Sequence, residues 1–444
     1  MKTVITYGTY DLLHYGHINL LKRAKALGDY LIVGVTSDSY DKSRGKLNVK
    51  QSLIERIEAV KKTGLADKII VEEYDGQKIE DIVKYHVDIF TVGSDWVGKF
   101  DYIREYCEVV YLPRTQGVSS TEIRENSNPS IRLGFYGIGH TTKHIYEEAL
   151  YVSGLSVSEV YDADTQALAE FCSSRGISGA KSPEELYEHS DAIYIHRPID
   201  EHFKIIMEAL EHGCHVVCVP PIFMNAEEAE QAYRLAEQKG LVLFEGIRTL
   251  YLPAFEHLTL LVKSGFIGAV KDIDVSCSQI PQDFDEQVKH KYNGSIYDWC
   301  TTAMLPFVKL SGKPIEECKL YNFSRDEFSY FVRGIIMTDT MTGSIKIGKG
   351  IKFEGELVIT GTKGYIYVPS PWWKTEYFEI RYEVLRDTKK YFYNYNGYGH
   401  RYMFLHFVHL IHGDRVENYL HSKEEVMMST AVVEEMKNAV QISI

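Results

Sequence analysis

Residues 3–17 read TVITYGTYDLLHYGH, and this stretch decides the fold of the first part of the chain. Its apolar start, residues 3–7, predicts a short buried strand, and an amphipathic helix is predicted from about Gly16 to Leu27. Apolar strands continue to alternate with helical segments up to Leu112, and the last of these helices is predicted over residues 99–106. This alternation predicts an α/β domain whose parallel sheet is covered by helices on both faces.

A second pattern begins after the polar segment ENSNPS, residues 125–130, whose Asn-Pro pair predicts a linker. The stretch IRLGFYGIG, residues 131–139, predicts another strand that runs into glycines and a helix. From about Arg248 the strands become longer and alternate with period two, which predicts an antiparallel sheet with one covered face. We therefore expect domains at residues 1–126, 131–250 and 251–444, with a linker at 127–130.

The composition of the 444 residues is that of a globular protein, with 45% hydrophobic and 25% charged residues. Residues 1–126 carry 18 basic and 19 acidic residues, and the rest of the chain carries 31 basic and 43 acidic residues. An acidic chain binds nucleic acid poorly, because neutralisation of phosphates dominates that affinity. No apolar run approaches the ~20 residues that span a bilayer, and the N-terminus shows no secretory signal pattern. Seven cysteines without zinc spacing indicate free thiols, so we expect a cytoplasmic protein. From the charge and the short apolar runs we expect no nucleic-acid partner and no membrane insertion.

The two histidines of the first stretch, His14 and His17, lie three residues apart at a predicted helix N-terminus. Backbone N–H groups and the helix dipole favour an anion at such a position, and Gly16 allows the backbone to approach a phosphate closely. Imidazole N–H groups can donate to the charge that develops on a transferring phosphoryl group. The pattern favours this chemistry over a zinc site, because two ligands are too few for zinc.

Four segments together resemble the HxGH nucleotidyltransferases, in particular bacterial glycerol-3-phosphate cytidylyltransferase, across residues 1–126. They are GTYDLLHYGHINLLKRAKALGD (residues 8–29), SLIER (52–56), VGSDWVGKFD (92–101) and RTQGVSST (114–121). The resemblance implies transfer of CMP from CTP to an alcohol phosphate such as glycerol 3-phosphate, with release of pyrophosphate. It further implies that the CDP-alcohol serves a teichoic-acid-like or capsular polymer.

The resemblance also implies roles for single residues. His14 and His17 would contact the α-phosphate and stabilise the transition state, and Arg114 would grip the phosphates. Asp95 and Trp96 fall where the family holds the cytosine, and Asp11 would support Mg²⁺ directly or through water. The nucleotide-binding residues implied in this way are Gly8, Thr9, Tyr10, Asp11, Gly16, Lys46, Arg56, Asp95, Trp96, Ser119, Ser120 and Thr121.

Two departures from the family leave the substrates open. Ser120 replaces the first Thr of the STT ending, and the resulting SSTEIR also resembles an ending found in adenylyltransferases. An adenylyltransferase of the same fold therefore stays the alternative. The loop Lys42–Lys50 differs in length from that of the glycerol-phosphate enzymes, so the acceptor phosphate is not fixed by the resemblance.

A second glycine-rich motif, GFYGIG at residues 134–139, follows a predicted strand and opens a helix. Asp162 ends the next predicted strand, 23 residues after Gly139. This arrangement is typical of dinucleotide binding: glycines form the tight turn, the helix N-terminus holds the pyrophosphate, and the acid accepts ribose hydroxyls. Because a 2′-phosphate would meet the charges of Asp162 and Asp164, the motif favours NAD(H) over NADP(H).

Residues 131–444 resemble the Gfo/Idh/MocA oxidoreductases through two segments, DAIYIHRPIDEHFKIIMEALEHGCHVVCVPP (191–221) and RTLYLPAFEHLTLLVKSGFIGAV (248–270). The resemblance implies a Rossmann domain followed by an open-sheet domain that supports oligomerisation, so we expect a homo-oligomer. It also implies contacts with a dinucleotide for Gly137, Gly139, Asp162, Pro198 and His202.

The acid–base positions of that family are replaced in this chain. Its Glu-Lys-Pro motif appears as Val219-Pro220-Pro221, and Thr302 stands where a later motif has histidine. Hydride transfer to a carbonyl needs a proton as well, and the residues that we consider as substitute donors are Tyr251, Tyr297, His196 and Asp298. We therefore expect a second half that is degenerate or only binds a cofactor. The alternatives are a dimerisation scaffold and a reductase that makes the alcohol phosphate consumed by the first domain.

Overall fold

The computed structural model describes residues 2–43, 49–74, 76–113, 130–282, 284, 291–311, 314–395, 397–412 and 421–443. By its internal contacts the chain divides into two compact units, residues 1–129 and 130–444, which are called here the N-terminal unit and the C-terminal unit. The predicted linker at 127–130 lies outside the described residues except for Ser130. The division predicted at 250/251 stays a prediction.

The N-terminal unit contains a parallel sheet of five strands in the order β3-β2-β1-β4-β5. The strands are β1 Thr3–Gly8, β2 Tyr30–Thr36, β3 Lys68–Glu72, β4 Ile89–Gly93 and β5 Glu108–Leu112. The helices are α1 Tyr15–Lys25, α2 Asp38–Ser43, α3 Leu53–Lys62 and α4 Gln77–Lys84, with 3-10 turns at Ser94–Trp96 and Asp101–Glu105. Alternate residues of β1 enter different apolar clusters, with Val4 in one and Ile5 in the other. The predicted parallel sheet with two covered faces is confirmed.

The helix that the sequence predicts over residues 99–106 is wrong in type and length. Only the short 3-10 turn Asp101–Glu105 forms there. Of its five residues, Ile103 alone is buried, so this segment lacks the apolar stripe that anchors a longer helix to a sheet.

The C-terminal unit begins with a parallel sheet of six strands in the order β11-β10-β9-β6-β7-β8. The strands are β6 Ile131–Tyr136, β7 Leu155–Tyr161, β8 Ser178–Gly179, β9 Ala192–Ile195, β10 His215–Cys218 and β11 Leu243–Glu245. The helices that alternate with them are α5 Thr142–Ala149, α6 Thr165–Arg175, α7 Pro183–Glu188, α8 Ile199–Glu211 and α9 Ala226–Lys239.

A mixed sheet of nine strands follows, in the order β19-β18-β17-β16-β12-β15-β14-β13-β20. The strands are β12 Val270–Gln279, β13 Glu317–Arg325, β14 Phe328–Met337, β15 Thr342–Lys349, β16 Leu357–Gly361, β17 Tyr365–Val368, β18 Tyr377–Arg381, β19 Lys389–Phe392 and β20 Val440–Ser443. The helices of this part are α10 Pro253–Lys263, α11 Ser295–Ser311, α12 His400–Ile411 and α13 Lys423–Lys437, with 3-10 turns at Arg248–Tyr251, Lys291–Asn293, Trp372–Lys374 and Leu385–Asp387.

The prediction of a purely antiparallel sheet is wrong for two strand pairs. Strands β12 and β15 run parallel, as do β13 and β20, while the other neighbours are antiparallel. Period-two alternation shows which residues face the core, but it carries no information about strand direction. One covered face is present, since α11 packs on β12, β14 and β15. The opposite face leaves Ile335 and Met337 exposed.

Two further features bear on the expected surroundings of the protein. Among the helices of the described residues, none combines the length and the apolar character needed to cross a bilayer. All seven cysteines are free thiols.

Candidate active sites

The carboxyl ends of β1 and β4 form a crevice in the N-terminal unit. The chain runs from β1 to β2 on one side and later places β4 on the other side of β1, with Thr6 paired to Thr91. In open α/β sheets, ligands bind at such a topological switch point. The loop 9–14 follows β1 and the turn Ser94–Trp96 follows β4, so two of the segments assigned to nucleotide binding lie at this crevice.

His14 and His17 stack on each other at the start of α1. Their ring centroids are 3.9 Å apart and their planes differ by 22°. His14 is the N-cap of the helix, and its Nδ1 accepts a hydrogen bond from the Gly16 N–H at 3.1 Å. A neutral His14 therefore carries its proton on Nε2, which is the donor that an anion needs. The N–H of Gly16 orients His14, a role that the sequence-based assignment of Gly16 to phosphate contact did not include.

The loop between β1 and α1 is held in an unusual conformation. Tyr10 and Leu12 have positive φ values of 54° and 47°, and such strain concentrates at functional sites. The Tyr10 ring lies 3.0 Å from where a Cβ on residue 8 would be, which accounts for Gly8. Tyr10 is only 1% exposed and packs edge-on against His17 at 5.6 Å. Its ring therefore orients His17, and the nucleotide contact that the resemblance implies for Tyr10 stays a prediction.

Asp11 anchors the same loop to the start of α3. Its carboxylate is buried, and Oδ1 accepts from the backbone N–H groups of Lys50 and Gln51 at 3.1 and 3.0 Å. The Gln51 side chain in turn accepts from the Leu12 N–H at 2.7 Å. These hydrogen bonds give Oδ1 a role in holding the loop, and the support of Mg²⁺ by Asp11 stays a prediction. Within the described parts of the chain, no group of three or more His, Cys, Asp or Glu side chains could hold a metal ion.

Arg56 corrects another sequence-based assignment. The resemblance implies that it neutralises phosphate, but its side chain is fully buried. Its N–H groups donate to the backbone carbonyl oxygens of Thr9, Thr36 and Gln51. The guanidinium also forms ion pairs with the carboxylates of Asp38 and Asp41. Thr9 is fixed a second time, because its hydroxyl donates to Asp41 at 2.8 Å. Arg56 is therefore a positioning residue that ties the loop after β1 to the neighbouring elements.

Trp96 lies on the β4 side of the crevice with 37% of its surface exposed. Its ring packs 5.7 Å from Phe100, and the Lys99 ammonium lies 5.0 Å from the Trp96 ring centroid. An exposed indole beside a ligand crevice offers a stacking surface for a base. The other residues assigned to this site have side chains outside the described residues, namely Asp95, Lys46, Arg114, Ser119, Ser120 and Thr121.

The glycine-rich loop after β6 makes a tight turn in the C-terminal unit. Gly137 has a φ of 98°, and a Cβ there would lie 2.3 Å from the carbonyl oxygen of His196. A Cβ on Gly139 would lie 2.4 Å from the His196 ring. Thr142, the first residue of α5, accepts the Gly139 N–H at 2.8 Å. The turn, with a helix N-terminus behind it, fits the pyrophosphate of a dinucleotide.

Asp162 follows β7, and its carboxylate accepts hydrogen bonds from two backbone N–H groups. Oδ2 accepts the N–H of Ile138 at 2.7 Å, and Oδ1 accepts that of Asp164 at 2.8 Å. The Arg197 guanidinium lies 3.5 Å from the same carboxylate. The predicted preference for NAD(H) over NADP(H) rests on repulsion between this carboxylate and a 2′-phosphate. The positive charge of Arg197 offsets that repulsion, so the charge argument no longer separates the two cofactors.

Pro198 and His202 hold the wall of the cofactor crevice. Pro198 is the N-cap of α8, and His202 is buried one turn into this helix. The ring nitrogens of His202 lie 3.0 Å from the Pro221 carbonyl oxygen and 2.7 Å from that of Arg197. Burial lowers the pKa of His202. Its ring lies between two loops and lines the cavity, and its contact with a dinucleotide stays a prediction.

A cavity of about 830 Å³ opens at this glycine-rich loop and extends to the nine-stranded sheet. Its lining includes Pro220 and Thr302, the two positions where acid–base residues are replaced. It also includes Lys349, which ends β15 and forms an ion pair with Asp298 of α11. The Lys349 side chain is 3% exposed, so a buried ammonium faces the cavity despite the loss of the family's lysine.

The expected substitute donors differ sharply in their surroundings. Burial, followed by nearby His140, lowers the pKa of His196 to about 3, so this ring is neutral and is a poor acid. Tyr251 is buried but does not line the cavity. Tyr297 lines it with a pKa raised to about 12 by burial. Burial also raises the pKa of Asp298 against the opposing effect of its partner lysine.

The crevice with paired histidines defines the N-terminal unit as a nucleotidyltransferase domain. Residues 5–126 match the cytidylyltransferase-like family, and through them the chain belongs to that family. Glycerol-3-phosphate cytidylyltransferase from Bacillus spizizenii is 50% identical over 131 residues, which cover 28% of this chain and 97% of that protein.

The C-terminal unit contains a Gfo/Idh/MocA oxidoreductase domain. Residues 131–247 match the oxidoreductase family with an NAD-binding Rossmann fold. The scyllo-inositol 2-dehydrogenase (NADP(+)) of Bacillus subtilis is 28% identical over 196 residues, covering 41% of this chain and 59% of that protein. A 3-ketoreductase from Actinomadura kijaniata, solved with NADP and TDP-benzene, shares the fold at a TM-score of 0.64 and 16% identity, covering 71% of this chain and all of that one.

Proposed function

We propose that the N-terminal unit transfers CMP from CTP to a small alcohol phosphate, with glycerol 3-phosphate as the first acceptor to test. The observation that carries the proposal is the stacked pair His14 and His17 at the switch-point crevice. The identity of 50% to a glycerol-3-phosphate cytidylyltransferase supports both the nucleotide and the acceptor class.

In this mechanism the two imidazoles donate to the α-phosphate oxygens, where negative charge grows during the transfer. The acceptor's phosphate oxygen attacks the α-phosphorus in line, the bond to the β-phosphate oxygen breaks, and pyrophosphate leaves. Tyr10 and the Gly16 N–H hold the rings in position, so little reorganisation is needed as the charge develops. Trp96 stacks on the base. The reaction needs no covalent protein intermediate.

A nucleotide and acceptor screen tests this function. The full chain is incubated with CTP or ATP and a panel of polyol, sugar-alcohol and amino-alcohol phosphates, and released pyrophosphate is measured. We expect release with CTP and one class of alcohol phosphate. Release with ATP, and none with CTP, would instead identify the adenylyltransferase alternative.

The fragment 1–128 is expected to fold alone and to keep transferase activity. Its sheet uses no strand of the C-terminal unit, since all five strands pair among themselves. Circular dichroism and the pyrophosphate assay, with the full chain as the control, measure this. A soluble fragment without activity, beside an active full chain, would show that the transferase site depends on the second unit.

A second function, reduction of a carbonyl, is favoured by Lys349 and Asp298 in the cavity. A bound nicotinamide dinucleotide would supply the hydride. The Lys349 Nζ would give its proton to the carbonyl oxygen, and Asp298 would hold the ammonium in place. The alternative is the expected degenerate or cofactor-binding site, which rests on Pro220 and Thr302 at the family's acid–base positions.

Stopped-flow absorbance with NADH or NADPH and a panel of ketose and aldose phosphates tests this second function. Lys349→Met should abolish cofactor oxidation and leave cofactor binding unchanged. Cofactor oxidation that persists in Lys349→Met would remove the lysine from the mechanism. If the unaltered chain oxidises no cofactor, the degenerate-site interpretation returns.

We also propose a cellular setting and an assembly state for the protein. Seven free thiols support the cytoplasm, and the CDP-alcohol product would feed a teichoic-acid-like or capsular polymer. A homo-oligomer is supported by the open face of the nine-stranded sheet, where Tyr321, Ile335 and Met337 are between 39% and 56% exposed.

A further inference from the structure

A cluster of basic side chains lies in the cavity of the C-terminal unit, beyond the residues used so far. It consists of Arg248, Lys374 and His400, which all line the cavity and are called here the basic cluster. Arg248 begins the turn after β11, Lys374 ends the turn before β18, and His400 begins helix α12. The nine-stranded sheet and the Rossmann sheet thus bring together three residues that are distant in sequence.

Among the described residues, no direct ion pair neutralises the basic cluster. Within the described residues, neither Arg248 nor Lys374 forms an ion pair, and the Arg248 Nε and His400 Nδ1 are buried without a hydrogen-bond partner. Glu148, an acid whose charge acts on Arg248, is already held by the Arg401 guanidinium through hydrogen bonds of 2.6 and 3.1 Å. An unpaired, partly desolvated guanidinium is costly unless an anion occupies the site.

The pKa shifts of the three side chains also indicate a site for an anion. Burial lowers the pKa of Arg248. Burial and then the charge of Arg248 lower the pKa of Lys374, opposed by Glu376. The pKa of His400 lies well below its usual value through burial and the nearby basic groups. Like charges that repel one another around an open space mark a place for a bound anion.

The cavity is basic although its surroundings are acidic. Beyond residue 126 the chain carries 31 basic and 43 acidic residues. Among the described residues that line the cavity, however, Asp298 is the one acid, and it is paired with Lys349. Concentration of basic groups in one cavity of an acidic unit indicates a ligand with negative charge.

The basic cluster does not lie where the cofactor's own phosphates are expected. The pyrophosphate fits the loop at Gly137, and the adenosine ribose fits near Asp162, after β7. Arg248 follows β11, four strands away in the order β7-β6-β9-β10-β11. At a strand spacing of about 4.8 Å, the two strand ends are roughly 19 Å apart. The loop at Gly137 follows β6, three strands from β11 or roughly 14 Å at the same spacing. These separations favour a group of the second substrate as the anion at the basic cluster.

We propose that the basic cluster binds the phosphate of a small phosphomonoester, so that the C-terminal unit takes phosphorylated hydroxy-carbonyl or polyol compounds. A guanidinium, an ammonium and an imidazole at a helix N-terminus match the charge and the acceptor oxygens of a phosphate. The organic part of the ligand rests on the proposed reductase function, whereas phosphate binding rests on the basic cluster alone. Both units of the chain would then handle the same chemical class.

Tryptophan fluorescence reports binding in this unit once Trp96 is replaced. In the full-length variant Trp96→Phe, the remaining tryptophans are Trp299, Trp372 and Trp373, all in the C-terminal unit. Trp299 and Trp373 line the cavity. The probes are inorganic phosphate, glycerol 3-phosphate, glycerol, NADH and NADPH, each titrated separately.

We expect saturable changes with inorganic phosphate and glycerol 3-phosphate, and none with glycerol. The double variant Arg248→Gln/Lys374→Gln should weaken both affinities at least tenfold. The control Lys363→Gln/Arg386→Gln removes the same charge from exposed positions of the unit and should change them less than twofold. Cytidylyl transfer, measured separately as pyrophosphate release, reports on the first function independently of this result.

Two outcomes would overturn the proposal. Equal phosphate affinity in both double variants would show that the basic cluster does not bind the anion. A loss of NADPH affinity without any response to glycerol 3-phosphate would assign the basic cluster to the cofactor's 2′-phosphate.

Discussion

Replacement of His17 by alanine is expected to reduce nucleotidyl transfer at least ~100-fold, a loss of ~2.7 kcal/mol that is typical of one preorganised transition-state donor. His17 stacks on His14 at 3.9 Å and is held by the edge of Tyr10, so its ring is fixed before substrate binds. The affinity for CTP should change less than turnover, because the charge on the α-phosphate grows mainly in the transition state. Steady-state kinetics and isothermal titration with CTP measure the two quantities.

The matched control for His17→Ala is His86→Asn in the same unit. His86 is exposed and has a φ of 50°, a conformation that asparagine tolerates. This control should leave turnover within twofold of the unaltered protein. If His17→Ala folds and loses less than threefold in turnover, the assignment of His17 to catalysis is wrong.

Replacement of Arg56 by methionine is expected to destabilise the N-terminal unit by about 3–5 kcal/mol, the usual effect of removing one partner of a buried ion pair. The reason is Asp41, whose carboxylate is fully buried 3.6 Å from the guanidinium and would be left without its cation. Hydrogen exchange of the β1 and β2 peptides in the full chain, read by mass spectrometry, reports this loss.

Arg104→Met is the matched control for Arg56→Met. Arg104 is exposed and makes a surface pair with Asp101, so its loss should cost no more than about 1 kcal/mol. Exchange that is unchanged in Arg56→Met, together with a much higher KM for CTP, would restore the phosphate-binding role that the resemblance implies.

Local sequence predicted the parts of the site that are local. The motif at His14 and His17 lies at the start of the helix that follows the first strand, so its position follows from the strand and helix patterns. The parallel sheet also follows, because its strands are apolar runs between helices. The family resemblance assigned Arg56 to phosphate binding. The pairing of its buried side chain with Asp38 and Asp41 depends on a contact between α2 and α3, and no local pattern contains that contact.

Lys349 was missed although a signal was present. Ile345, Ile347 and Lys349 alternate along β15, so period two places the lysine on the covered face with the isoleucines. A lysine at an inward position indicates a buried partner or a cavity. The basic cluster could not be found this way, because Arg248, Lys374 and His400 come from three separate turns and helix starts whose proximity is set by the tertiary fold.

The most direct test of the proposed cytidylyl transfer follows the α-phosphorus of CTP. The full chain is mixed with CTP labelled at the α-phosphate and with glycerol 3-phosphate or the best acceptor of the screen, and the reaction is quenched on the millisecond scale. We expect the label to pass directly from CTP to a CDP-alcohol, with one unlabelled pyrophosphate per product and none of the label on the protein. Label bound covalently to the protein, or labelled product from ATP but not from CTP, would contradict it.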